Sequence, residues 1–165
     1  MIWSINSRQP EIALALLELG ADVNVATPHG DTPLIEAAGY GYLDIVIALL
    51  DRDADVRATN HVRVGALAGA ATYGNADIVG TLLDRVKNDL PENAMDRGPV
   101  FAAHGGHSEV ICTLLTAGAD LNCENELQRS AEVTATMARN LDVVELLQNW
   151  ESACLSVPAS GAPKR

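Results

Sequence analysis

Residues 20–38, GADVNVATPHGDTPLIEAA, place carboxylates, a histidine, threonines and turn residues within one short span. Such a span suits either a reactive cluster or a junction between two helices, and recurrence decides between them. The opening motif returns as GADVN at 20–24, DADVR at 53–57 and GADLN at 118–122. Leucine pairs keep the same beat at Leu16-Leu17, Leu49-Leu50, Leu82-Leu83 and Leu114-Leu115, then Leu147-Gln148, in steps of 33, 33, 32 and 33. So do small pairs at Ala37-Ala38, Ala70-Ala71, Ala102-Ala103 and Ala135-Thr136. Gly41, Gly74 and Gly106 form a further column, with Arg8 and Arg139 in the outer copies. Columns sharing one period of this length mark a stacked repeat architecture.

Each period reads as two short helices, typified by Pro33 to Tyr40 and Leu43 to Arg52. In the second, Ile45, Val46, Leu49 and Leu50 make one broad apolar face. Helices this short are marginal in isolation, since about 12–15 residues are needed in water. Neighbouring copies must therefore hold them, and paired alanines permit close approach. Gly20 sits where a left-handed residue ends a helix. Thr32 takes the N-cap and Pro33 the first helical position, where its missing N–H costs nothing. The polar residues of the opening stretch thus have backbone roles.

Composition agrees. The 165 residues are 48% hydrophobic but only 4% aromatic, so the apolar content is Ala, Leu and Val suited to close helix packing. A formal net charge of −11 disfavours phosphate backbones and anionic membranes as partners. No apolar run approaches the roughly 20 residues needed to span a bilayer, and the N-terminus lacks signal-peptide character. Cys112, Cys123 and Cys154 are odd in number without CxxC spacing, which points to reduced thiols and a cytoplasmic location. There is no phosphate loop, and GYGYLD at 39–44 lacks the third glycine of a dinucleotide fingerprint.

The segment GDTPLIEAAGYGYLDIVIALLDRDADV, residues 30–56, resembles the ankyrin repeat pattern G-x-TPLH-x-AA-xx-GH-xx-IV-xx-LL-xx-GADVN. The resemblance implies an all-α solenoid of helix-turn-helix units with short hairpin or loop fingers. Its expected extent is a single domain over 1–150, with copies near 1–26, 27–59, 60–92, 93–124 and 125–150 and a disordered tail over 151–165. Departures are clear. The family's histidine after TPL is Ile35, Ala68, Val100 and Val133, and TP survives only in the second copy. At the helix-stop column Asp53 and Val86 replace Gly20 and Gly118. A β-branched valine resists positive φ, so the helix near Val86 is expected to end differently, beside the one-residue deletion in an irregular finger over 86–99.

Several constellations carry groups capable of chemistry. Glu11, Asp44, Asp77, Glu109 and Asp142 form an acidic column, each in the first turn of a second helix, where a carboxylate complements the helix dipole. Successive layers lie about 8–10 Å apart, too far for one metal to be chelated between them. His104 and His107 in HGGH, with Cys112 and Cys123, invite a zinc reading, but zinc needs four converging ligands and His107 occupies the family's GH column. No metal, cofactor or catalytic residue is therefore expected. Asn24 and Asn122 stand at the loop asparagine that is hydroxylated in some ankyrin proteins; the bland alternative is a turn-stabilising hydrogen bond to the backbone.

The family grips partners with finger tips and the end of each first helix. Transferred column by column, that surface takes Pro28, His29 and Asp31, then His61, Val62 and Val64, with Glu126, Leu127 and Arg129 further on. From the first helices it takes Tyr40, Thr72, Tyr73, His104 and Met137. Two of only six aromatics falling in one column, Tyr40 and Tyr73, suggest an anchor, because tyrosine is rigid and amphipathic. The expectation is a non-catalytic, monomeric module that binds another protein, as adaptor or inhibitor. The alternatives are a His/Cys metal protein or enzyme, or a regulatory fragment of a larger ankyrin protein.

Overall fold

The computed structural model describes residues 1–86, 94–120, 124 and 128–150. The expected tail, Cys123, Cys154, Asn122, Glu126 and Leu127 lie outside them, as does the middle of the irregular finger. Among the described residues are ten helices and no strand: α1 (Ile2–Asn6), α2 (Pro10–Glu18), α3 (Pro33–Tyr40), α4 (Leu43–Leu50), α5 (Ala66–Thr72), α6 (Ala76–Val86), α7 (Ala94–Gly105), α8 (Ser108–Thr116), α9 (Ala131–Ala138) and α10 (Leu141–Gln148). None is long and apolar enough to cross a membrane. Odd-numbered helices pack on odd and even on even, with each pair also in contact, so the chain is a two-layered all-α solenoid.

The columns counted in the sequence coincide with the places where helices close. All positive-φ residues outside the fingers fall in two of them: Arg8, Gly41, Gly74, Gly106 and Arg139 after the odd helices, and Gly20, Asp53 and Gly118 after the even ones. At each stop the next residue donates back to the carbonyl of the small or leucine pair. Ala21 N–H reaches Leu16 O at 3.0 Å, Ala54 reaches Leu49 at 3.1 Å, and Ala119 reaches Leu114 at 3.0 Å. Asn75 reaches Ala70 at 2.9 Å, His107 reaches Ala102 at 2.9 Å and Asn140 reaches Ala135 at 3.0 Å. These are Schellman closures, which require a left-handed residue one position earlier. The Leu and Ala pairs recur because their side chains fill the core while their carbonyls end the helix.

Helix starts are less uniform. Thr32 Oγ1 accepts from Ile35 N–H at 3.3 Å and Ser130 Oγ from Val133 N–H at 3.4 Å, whereas Gly65 caps α5 with no side chain. The acidic column lies in the first turns of α2, α4, α6, α8 and α10, each acid contributing about 0.3–1 kcal/mol through the helix dipole. The second helix of the second copy ends at Leu50 rather than at Arg52, with Asp51 as its cap. The largest deviation surrounds the irregular finger. There α6 runs for 11 residues to Val86, and α7 begins at Ala94, so Pro99 lies inside a helix rather than opening one.

The core is continuous and built from the two layers. Ile5, Leu34, Ile45, Leu49, Leu67, Ile78, Leu82, Ile111 and Leu114 are its largest enclosed side chains. Alanines 37, 38, 70, 71, 102 and 103 are fully enclosed between odd helices, which brings those backbones close together. Trp150 packs against the last layer.

Candidate functional site

Two columns run along one side of the odd helices, mixing exposed residues with the buried Gly69 and Thr134. One holds Trp3, Glu36, Gly69, Phe101 and Thr134; the other, four residues further on, holds Ser7, Tyr40, Tyr73, Gly105 and Ala138. Tyr40 is 46% exposed and Tyr73 is 69% exposed. Tyr40 stacks on Tyr42, with ring centroids 6.1 Å apart. Tyr73 instead lies across the preceding repeat, where a Cβ built on Gly39 would be 3.6 Å from its ring. Each tyrosine is thus held from one side and open on the other. The pair does not form a single stack.

Further along the same side, Thr72, Val100, Phe101, His104, Arg129, Thr134, Met137 and Ala138 line an open groove of about 440 Å³. It joins α5, α7 and α9. Thr72, His104 and Met137 were expected on this surface from their columns. Phe101, Val100 and Thr134 were not, although Phe101 shares the column of Trp3, itself 71% exposed. The guanidinium of Arg97 lies 5.6 Å from the Phe101 ring centroid. Thr134 is the unusual member. Thr72, Thr81, Thr113 and Thr136 each donate their hydroxyl to the carbonyl four residues earlier, at 2.7–2.9 Å. Thr134 Oγ1 is buried without a hydrogen-bond partner, a state that costs about 1–3 kcal/mol.

The finger-tip residues divide. Pro28, His29, His61 and Val62 are exposed, while Asp31 and Val64 are half-buried. Two successive fingers have one geometry: Thr27 N–H donates to Asp31 O and Asn60 N–H to Val64 O, both at 3.0 Å. They are tied together by His61 N–H to His29 O at 3.0 Å and by Asn60 Nδ2 to Asp31 Oδ1 at 2.8 Å. Asp31 therefore joins repeats. Asn24 does likewise, its Oδ1 accepting from Asp55 N–H at 2.8 Å, so the loop asparagine bonds to the next repeat's backbone rather than within its own turn. Hydroxylating its Cβ would modify a residue that holds two repeats in register.

The two histidines of HGGH part company. His104 is exposed in the groove, while His107 Nε2 lies 3.0 Å from Thr72 O of the preceding repeat. A carbonyl only accepts, so the ring carries its proton on Nε2. Asn75 and Asn140 occupy the same column and reach back similarly, to Ala38 and Gly39 and to Ala103 and His104. His107 is one of a row of inter-repeat donors. Among the described residues no three His, Cys, Asp or Glu side chains gather as metal ligands.

Comparison with known proteins agrees with this architecture. A model described as ankyrin repeats, three copies, matches residues 1–60, and a single ankyrin repeat model matches residues 100–126. No curated protein matches the chain. Ankyrin repeats are generally protein–protein interaction modules and typically non-catalytic. With more than half of its length matched and every second helix closed in the same repeating register, the chain belongs to the ankyrin repeat family.

Proposed function

We propose that the chain binds a partner protein through the concave side of its odd helices and the tips of its first fingers, acting as an adaptor or inhibitor. The observation that carries this reading is the arrangement of Tyr40, Tyr73 and Met137, which are 46%, 69% and 59% exposed on helices whose opposite faces are fully packed. Rigid apolar side chains presented by a preorganised stack lower the ordering cost of association. Pro28, His29, His61 and Val62 extend the surface at its edge, with Thr72 and His104 in the lining of the groove. Asp31 and Val64 support it from behind. The chain works as a monomer in the cytoplasm, with no cofactor.

Affinity capture with wild-type bait, repeated with the Tyr40→Ala/Tyr73→Ala double variant, tests the reading. The expected result is unchanged helical content with retention of the captured protein weakened by about tenfold or more, as for paired aromatic anchors. Equal retention by the double variant would remove the tyrosines from the interface.

A further inference from the structure

The odd helices of the first three repeats hold one charge among aromatic rings. In α1, α3 and α5 the single charged side chain is Glu36. It is half-buried, its Oε1 accepts from Asn6 Nδ2 at 3.2 Å, and among the described residues no cation pairs with it. Its column neighbour on α1 is Trp3, whose ring is mostly exposed, and one turn along α3 stands the exposed Tyr40. On α5 the same column holds Gly69, so that repeat offers no side chain there. A Cβ on Gly69 would lie 3.6 Å from Ile35 O, which shows how closely α5 approaches α3. Residues 1–86, all of them described, carry eleven carboxylates against five guanidiniums, so the field at this end of the array is negative. An open tryptophan face attracts a cation more strongly than any other ring, and a carboxylate beside it suits the fork of a guanidinium.

We propose that this patch receives an arginine from a basic segment of the partner. The guanidinium lies over the Trp3 ring, within the reach of about 6 Å that a cation–π contact allows. It donates to the Glu36 carboxylate, which in the unbound chain serves only Asn6 among the described residues. Trp3 and Glu36 stand on helices stacked about 8–10 Å apart, a gap that one planar cation spans. Tyr40, one turn along α3, covers the methylene stem of the same arginine, which is apolar. A lysine ammonium would meet the carboxylate but has neither the flat face nor the fork. The negative field draws the segment in, and Glu36 fixes where its cation stops. The inference rests on the concave-face reading above and names the chemistry of the segment which that reading leaves open.

Blocked octapeptides of glycine and serine with one central arginine or citrulline are titrated into the full chain carrying ¹⁵N-tryptophan. Citrulline keeps the planar shape of arginine without its charge. The expected result is a shift of the Trp3 indole resonance, identified with Trp3→Phe, and arginine binding about tenfold or more tighter than citrulline. Glu36→Gln keeps an acceptor for Asn6 and removes the charge. It is expected to melt with the wild type and to cut the arginine-to-citrulline ratio at least about threefold, as for a lost charge-assisted hydrogen bond. Asp77→Asn removes one charge from the first turn of α6 in the other layer and is expected to leave that ratio unchanged. Equal affinity for the two peptides, a Trp3 resonance that does not move, a ratio indifferent to Glu36→Gln, or an equal fall in Asp77→Asn would each overturn the proposal. Any of these with a continued effect of the tyrosine double variant on partner capture would leave the concave-face reading standing.

Discussion

The first two described fingers and the groove over α7 and α9 belong to one array yet treat their polar groups in opposite ways. In the fingers, the Asn60 side chain alone makes three hydrogen bonds, accepting from Val62 and Val64 N–H and donating to Asp31. Around the groove, a buried threonine hydroxyl makes none, and a helix runs through a proline. Satisfied polar groups hold one repeat on the next. The enclosed Thr134 hydroxyl makes no such tie, so the polar links between repeats are unevenly distributed along the chain.

Asn60→Ala should give the larger disturbance. Each of its three bonds contributes about 0.5–1.5 kcal/mol net, so a loss of about 2–3 kcal/mol is expected in urea unfolding. Hydrogen exchange should quicken at Val62 and Val64 and leave α9 unchanged. A loss below about 0.5 kcal/mol, the range of an ordinary surface substitution, would show that the ladder between fingers is incidental and break the comparison.

Gly98→Ala tests whether the irregular half is loosely or tightly built. Gly98 is buried in α7, and a Cβ there would stand 2.7 Å from Leu114 Cδ1, a side chain with no exposure. Overpacking of this kind costs about 1–3 kcal/mol, partly offset by alanine's better helix propensity of roughly 1 kcal/mol. A net loss of about 1–2 kcal/mol is expected. A net gain would mean that α7 is held loosely on α8 and that the groove has no fixed shape.

How much of this was readable beforehand follows from which forces act locally. The caps were legible because a helix stop demands a left-handed residue at a fixed offset, and Gly20, Gly41, Gly74, Gly106 and Gly118 announce it. Asp53 and Arg139 adopt the same conformation, visible only because the period points to them. The groove was not legible. Pro99 argues for a helix start, yet α7 already begins at Ala94. Whether a helical threonine bonds to its own backbone depends on a side-chain rotation that spacing cannot reveal, so Thr134 looks like Thr72 in the sequence. Asp31 reads from the sequence as a finger-tip residue, and its acceptor role toward Asn60, 29 residues away, appears only once the fingers are stacked.

The smallest expected effect isolates backbone propensity from packing. Gly80 lies inside α6, like Gly98 in a helix interior, but a Cβ built on it meets nothing within 4 Å. Glycine in a helix interior costs about 0.5–1 kcal/mol relative to alanine because its unfolded chain has more freedom to lose. Gly80→Ala should therefore raise stability by that amount in the same urea titration. The opposite signs of Gly80→Ala and Gly98→Ala would show that one substitution in one helical setting is decided by the neighbour. At Gly98 that neighbour is Leu114, which the 33-residue period itself supplies. If both variants gained stability, the contact between α7 and α8 would have to be looser than the 2.7 Å from a Gly98 Cβ to Leu114 Cδ1 implies, and the wall of the groove would lose its rigid backing.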